Sequence, residues 1–340
     1  MKKILLIATV YRVGERIYST LPELSKEFSV DVLKTAQMGN KIKWYGDNDL
    51  RLIFDNKYKN YIQNLYYKPP DLNKYDLILM DDDRPRHGNK EIYDKVNVPV
   101  IGQHHGNIKF RSDVAKHTSW DYISVFGQKE KDIYIKNKGS QFGKKILLGG
   151  IPSNDLLNEY ERTDKHILVI VNFLGNRGAP FKKFDKDTFT KMGLVELQKK
   201  FNKKVIIKIK SREAFANPHL DFEYLDKILP GNLDYEVLMD VEDDNKLICD
   251  SFFVISAPST LAFKSIQKGI PTVLLEGYGF TASFYDYNGL IKLNTQKLFD
   301  ELQRQFDVGR DDKFINYTIE GGLKFNSSEK YINNVRRLLS

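Results

Sequence analysis

The apolar positions of this chain fall into short runs, each followed by a polar segment with helical spacing or turn residues. Residues 4–10, 30–35, 75–80, 98–102, 121–127 and 145–148 are such runs in the first half. Residues 167–172, 205–209, 235–239, 252–256, 272–275 and 289–293 repeat the habit in the second. Short β-branched runs bounded by turn residues read as strands buried on both faces. Strands alternating with helical segments, twice over, predict an α/β chain with two doubly wound parallel sheets. The charged, apolar-poor stretch 159–166 reads as the linker, which gives domains 1–158 and 166–315. Residues 316–340 then form a third segment. Its amphipathic helix over 327–339, with Tyr331, Val335, Leu338 and Leu339 on one side, is expected to pack back on the first domain. A helix over 15–28 meets Pro22, a kink or a restart. Residues 38–70, rich in Tyr, Asn, Lys and Asp, are the least regular, and there the pattern suggests an edge strand near 50–54 and a helix near 57–66.

The stretch 250–279 is a complete strand, turn, helix, strand unit. Ser259 can cap a helix whose Leu261, Ala262, Ser265 and Ile266 share a face, with Gly269 as its stop and Pro271 beyond. In a parallel sheet the 257–260 turn lies at the carboxyl edge, where ligands of open α/β sheets bind. The helix amides, its dipole and the hydroxyls of Ser259 and Thr260 suit a phosphate there. The plainer reading makes Ser259 an N-cap and Thr260 a first-turn residue.

Composition narrows the class. The 340 residues are enough for two domains, and 41% hydrophobic with 29% charged residues is ordinary for a globular protein. A single cysteine, Cys249, excludes an internal disulfide framework and reads as a small buried hydrophobe rather than a nucleophile. The first apolar run is followed by no small-residue cleavage pattern and reads as a strand, not a signal peptide. No apolar stretch approaches the roughly 18 residues of a membrane span. A cytoplasmic location is expected, with membrane association as an option. The formal charge of +8 suits an anionic partner: nucleic acid, an anionic membrane surface or a phosphorylated substrate. Lysines concentrate over 129–145 and 199–210 but are otherwise scattered, as on a solvated surface.

Several strand ends carry chemistry. Asp81, Asp82 and Asp83 could hold a divalent ion or orient an acceptor, or pair with Arg84 and Arg86 as an exposed loop. His104 and His105, followed by Gly106, are placed for a general base near neutral pH, with a structural histidine as the alternative. Neighbouring residues on an extended chain point opposite ways, so one of the two faces the ligand and a metal pair is disfavoured. Gly175 and Gly178 flank Arg177, which could bind phosphate in a bidentate manner. Lys208 and Lys210 share a strand face that reaches the same anion or faces solvent on an edge strand. Glu276 ends the next strand, where it binds a ribose or sugar hydroxyl or is simply solvated. The absence of GxGxxG, P-loop and GxSxG patterns weakens dehydrogenase, NTPase and hydrolase readings.

Taken in order, these residues resemble a family. His105-Gly106, then Gly150-Ile151-Pro152-Ser153-Asn154-Asp155-Leu156-Leu157, Arg177, Ser259-Thr260 and Gly269-Ile270-Pro271 look like the GT-B fold transferases. Within these they are similar to the CDP-glycerol glycerophosphotransferase-like group, which builds teichoic acid and capsule polymers. The resemblance covers residues 98–276. It implies two Rossmann-like domains facing a cleft, the first for the acceptor and the second for the nucleotide donor, and transfer without a metal or other cofactor. The donor would meet Arg177, Lys208, Lys210, Ser259, Thr260 and Glu276. His105, with His104 beside it, would take the acceptor proton near Asp82, Asp83 and Gly106. The group usually has Lys-x-His-Pro where this chain has Lys208-Ile209-Lys210-Ser211-Arg212, and Asp-Tyr-Ser-Ser where it has Ser256-Ala257-Pro258-Ser259-Thr260. The missing histidine shifts the expectation from glycerophosphate to a nucleotide-sugar donor. The expected protein is thus a glycosyltransferase with a carbohydrate or lipid-linked acceptor, in surface polysaccharide or glycoconjugate synthesis. The alternatives are a CDP-glycerol-type glycerophosphotransferase, a nucleotide-sugar epimerase that needs no acceptor, a DNA-modifying sugar transferase or nucleic-acid-binding protein, and a non-catalytic binding protein.

Overall fold

Ile4, Leu5, Leu6 and Ile7 are all fully buried, so the strand that carries them, β1 (Lys3–Ala8), needs a neighbour on each side and cover on each face. A computed structural model supplies both; it describes residues 1–8, 17–38, 41–44, 57–81, 96–104, 120–171, 185–209, 219–239, 241, 243–257, 259–276, 286–292 and 298–340. The chain divides into two compact units, residues 1–156 with 316–340, and residues 157–315.

In the first unit the strands are β1, β2 (Ser29–Met38), β3 (Lys41–Trp44), β4 (Asn64–Tyr66), β5 (Leu77–Met80), β6 (Val100–Gln103), β7 (Tyr122–Val125) and β8 (Ile146–Leu148). They form one sheet in the order β3-β2-β1-β5-β6-β7-β8, with β4 also on β2. Every pairing is parallel except β2 with β3. The chain winds one way from β1 to β2 and the other way from β5 to β8, so the topological switch lies between β1 and β5.

Helix α1 (Leu21–Glu27) carries Pro22 in its first turn, where it is tolerated because its missing N–H would be unpaired anyway. The proline is therefore a restart, not a kink. Helix α2 (Gln128–Lys138) stops at Gly139, whose φ of 88° places it in the region that favours glycine. The expected helix near 57–66 is cut short: residues 57–58 are helical, one tighter turn follows at Lys59–Tyr61, and then comes β4, ahead of which Gln63 N–H donates to the Val30 carbonyl at 2.8 Å. Of the aromatic residues of that stretch, Tyr66 pairs along β2, Tyr58 is buried in the core and Tyr61 is exposed. The strand expected near 50–54 lies outside the described residues.

The second unit holds β9 (His166–Val171), α3 (Lys186–Met192), α4 (Leu194–Phe201), β10 (Lys204–Ile209), α5 (His219–Ile228), β11 (Tyr235–Leu238), α6 (Asp244–Cys249), β12 (Ser251–Ser256), α7 (Thr260–Lys268), β13 (Thr272–Glu276), β14 (Leu290–Lys292) and α8 (Leu298–Arg304). Its sheet is wholly parallel, in the order β11-β10-β9-β12-β13-β14, with the switch between β9 and β12. One face, with Ile167, Val169, Val205, Ile207, Phe253, Ile255 and Val273, packs on Phe189, Leu197, Leu225 and Leu302 from α3, α4, α5 and α8. The charged stretch that reads as a linker is tied to this unit. Thr163 N–H donates to the Cys249 carbonyl, Lys165 N–H to the Asp250 carbonyl, and the Thr163 hydroxyl to the Asp250 carboxylate at 2.6 Å. Burial opposes ionisation of Asp250, but Thr163, Lys165 and Lys246 outweigh it and hold the carboxyl below its usual range. Charged residues there are stitches, not spacers.

The chain then crosses α9 (Asp312–Thr318) and ends in α10 (Ser327–Leu339). Tyr331, Ile332 and Val335 of α10 share the first unit's core with Ile4, Leu6, Val32, Leu79, Ile101 and Leu147. Each such buried side chain contributes about 1.5–3 kcal/mol relative to exposure.

Candidate functional site

In the second unit Ala257 follows β12, next to the topological switch, and Ser259 precedes α7. The Ser259 hydroxyl accepts from Leu261 N–H at 3.3 Å, so it does cap α7, and Gly269 ends the helix at φ 77°. Both Ser259 and Thr260 remain half-buried at the carboxyl edge. The first turn of α7 holds no acidic residue. Elsewhere carboxylates occupy this position: Asp185 caps α3, Asp243 caps α6, and α1, α2, α4, α8, α9 and α10 each carry Asp or Glu in the first turn. A helix start without a carboxylate leaves its positive end for an outside anion.

Two further residues of the expected donor set end strands of the same sheet. Lys208 sits on β10, between β9 and β11, and is 2% exposed, so it is not a solvated edge-strand lysine. Its ammonium donates to the carbonyls of Ile209 at 3.1 Å and Met239 at 2.7 Å, which ties down the carboxyl ends of β10 and β11. Glu276 ends β13 half-buried, opposite Lys292 of β14. Strand order therefore brings Lys208, Ser259, Thr260 and Glu276 to one sheet edge. Arg177 and Lys210 follow β9 and β10 in sequence but lie outside the described residues.

In the first unit His104 follows β6 and is completely buried. Its Nδ1 lies 2.9 Å from Glu130 Oε2, and the same oxygen accepts from Phe126 N–H at 2.8 Å. A carboxylate oxygen accepts, so Nδ1–H is the donor of this contact. The ring also packs on Phe126, with centroids 5.2 Å apart. Glu130 thus anchors the chain where it leaves β6. Sequence reasoning had no signal for this pair beyond an acid in the first turn after Gly127.

Asp81 ends β5 beside the first unit's switch. It is buried and receives the Tyr18 hydroxyl at 3.4 Å, so it does not belong to an exposed, mutually paired loop. Asp82, Asp83, His105 and Gly106 lie outside the described residues. Lys129 and Glu130 are buried in α2, so the lysine run beginning at 129 does not present one continuous basic face. Cys249 is buried and burial pushes its thiol up, away from thiolate chemistry.

The Gly-Gly-Ile-Pro-Ser-Asn-Asp run has a role that spacing did not reveal. Asp155 accepts Ser327 N–H at 3.0 Å and Ser328 N–H at 2.7 Å, one on each carboxylate oxygen, and so caps α10. Gly150 has φ 67°, and a Cβ there would collide with the Glu320 carbonyl and the Ser327 hydroxyl. Asn334 Nδ2 donates to the Leu148 carbonyl at 2.7 Å. These residues are a latch for α10.

Among the described residues no group of three or more His, Cys, Asp or Glu side chains is placed to hold a metal ion, and no helix is long and apolar enough to cross a membrane.

No family model matches the sequence, and no curated protein sequence matches it. Among solved structures, the UDP-GlcNAc 2-epimerase from Neisseria meningitidis bound to UDP-GlcNAc is 13% identical with a TM-score of 0.64, over 98% of this chain and 100% of that one. The S. aureus MnaA–UDP co-structure is 14% identical with a TM-score of 0.65, over 100% and 97%. The wall teichoic acid polymerase TagF is 13% identical with a TM-score of 0.52, over 99% and 90%. At these identities the likeness is one of fold, and it joins the two parallel Rossmann-like sheets into a single conclusion: the chain has the GT-B fold.

Proposed function

We propose that this chain is a nucleotide-sugar enzyme that moves the sugar from its nucleotide to an acceptor hydroxyl, with the donor phosphates at the start of α7. The observation that carries this is the uncharged N-terminus of α7 beside the switch of the second sheet. There the helix amides, Ser259 and Thr260 meet the charge that develops on the leaving phosphate as the bond to the sugar breaks. Arg177 and Lys210 add cations to the same anion, Lys208 holds the strand ends from below, and Glu276 takes a ribose or sugar hydroxyl. In the first unit His105 accepts the proton of the attacking hydroxyl, Asp82, Asp83 and Gly106 receive the acceptor, and the buried His104–Glu130 pair fixes the chain at the end of β6. Structural neighbours whose names carry UDP and UDP-GlcNAc support a nucleotide sugar as the donor class.

A second reading, 2-epimerisation of the nucleotide sugar without an acceptor, is favoured by the higher TM-scores of the structures named as 2-epimerases, 0.64 and 0.62, against 0.52 and 0.55 for TagF. Thermal shifts against UDP, GDP, ADP, CDP, CMP, TDP and their sugars test the shared step. Stabilisation by one nucleotide, lost in a Ser259→Ala, Thr260→Ala double variant, supports the site. No shift with any nucleotide, in a protein that unfolds cooperatively, removes both readings. With the donor known, incubation with and without carbohydrate acceptors separates them: acceptor-dependent nucleotide release means transfer, and a changed sugar without acceptor means epimerisation.

A further inference from the structure

The face of the first sheet that α10 covers changes character at its carboxyl edge. Below, it is aliphatic, with Leu79, Ile101 and Leu147. One step higher, β6 and β7 present Gln103 and Ser124, which are register partners and therefore neighbours on one face. Gln103 is 0% exposed and Ser124 1% exposed, yet among the described residues neither amide atom of Gln103 nor the Ser124 hydroxyl has a hydrogen-bond partner. Tyr331 of α10 lies against the same place. A Cβ on Gly149 would strike Ser124 Oγ and would come within 3.1 Å of Tyr331 Cδ2, so both side chains crowd the bare Cα of Gly149. The Tyr331 hydroxyl is also buried and, among the described residues, has no hydrogen-bond partner.

Buried polar atoms nearly always have partners, and an orphaned one costs about 1–3 kcal/mol. Three neighbouring side chains with four such atoms is a concentration that packing alone does not explain, since methionine, alanine and phenylalanine would fill the same space without the penalty. The set is uncharged and offers both donors and acceptors: an amide NH₂, an amide carbonyl and two hydroxyls. That chemistry does not select a phosphate, which calls for cations or a helix start. It matches a ligand whose groups both give and take hydrogen bonds, which is to say hydroxyls.

We propose that Gln103, Ser124 and Tyr331 form a binding subsite for a neutral, hydroxyl-rich ligand, a sugar or polyol, in the first unit. As the place where the acceptor is held it rests on the transferase reading above, but it is tested without any nucleotide. The experiment is titration calorimetry and thermal shift of the full chain with free N-acetylglucosamine, glucose, glycerol and ribitol, for the wild type and for Gln103→Met, Ser124→Ala and Tyr331→Phe. The expected result is saturable binding of at least one probe, weakened by about tenfold or more in each variant. The unliganded variants should melt at the wild-type temperature or above it, because each removes an orphaned polar atom. Tyr331→Phe deletes one oxygen and keeps the ring, so its folding is not at issue. Absence of saturable binding of every probe, or unchanged affinity in all three variants, overturns the proposal. So does a lower melting temperature in all three, which would mark the atoms as partners of structural water. Donor binding at α7 is read separately with nucleotides, so either result leaves the other standing.

Discussion

Helices α7 and α10 both begin at the edge of a sheet, and their first turns are finished in opposite ways. At α10 the protein supplies its own anion: Asp155 takes two amides, and the helix start is closed. At α7 a neutral hydroxyl takes one amide at 3.3 Å, and no carboxylate follows in the first turn. The same physics, an electropositive helix end, is used for assembly in one unit, whereas in the other no carboxylate among the described residues meets it. A helix start is therefore evidence for an anion site only after its own carboxylates have been counted.

The largest expected effect is on the closed end. Gly150→Ala forces a left-handed backbone and a steric collision on the turn that receives α10, and Asp155→Ala orphans two amides. Each should cost about 2–4 kcal/mol in urea unfolding, while Asp155→Asn, which keeps an acceptor, should recover part of the loss. If Asp155→Ala unfolds like the wild type, the latch contributes nothing and the contrast with α7 fails.

Converting the open end into a closed one is the next test. Ser259→Asp should leave stability within about 1 kcal/mol, since a carboxylate suits a helix start, yet weaken nucleotide binding by more than about tenfold through like-charge repulsion. Retained nucleotide affinity would place the phosphates elsewhere. Lys208→Met should destabilise the second unit by about 1–3 kcal/mol by stripping the Ile209 and Met239 carbonyls of their donor, with a smaller effect on nucleotide affinity than Ser259→Asp.

The smallest effect is a pH dependence of the second unit. His166 is buried at the start of β9, its Nε2 3.1 Å from the Ser251 hydroxyl, and burial holds the imidazole below its ordinary value of 6.5 although Asp250 pulls the other way. Protonation is thus easier in the unfolded chain. Stability should be complete above about pH 6.5 and fall by up to about 1.4 kcal/mol per unit as pH drops below it, levelling once the folded imidazole titrates. His166→Gln should flatten that slope in melts followed from pH 7.5 to 5.

Strand positions were legible because parallel strands leave unbroken apolar runs, and α7 was legible because Ser259, its apolar face and Gly269 agree on one helix. Residues 64–66 differ from the expected helix because Leu65 and Tyr66 serve a helix stripe or a strand equally well, and pairing with β2 decides it. The stretch around Thr163 and Lys165 looked like a linker because its charges are satisfied by Asp250, a partner some 85 residues away in sequence. Gln103 and Ser124 were visible as polar residues at the ends of apolar runs. That they share a face with each other and with Tyr331 follows only from register and from the docking of α10.

The position of α10 also bears on how the molecule is made. The helix that seals the first sheet lies beyond the whole of the second unit in the chain, so a ribosome delivers the sheet, then residues 157–315, and only afterwards the lid of the first core. During synthesis the aliphatic face of the first sheet has Leu21 and Leu24 of α1 to pack on but must wait for Tyr331, Ile332 and Val335 while the later unit folds. That interval is when it is exposed to aggregation and to chaperones. Translation halted ahead of Ser327 would release a second unit with its core complete and a first unit lacking its cover, so quality control acting on nascent chains should discriminate at the first unit, the one synthesised earliest.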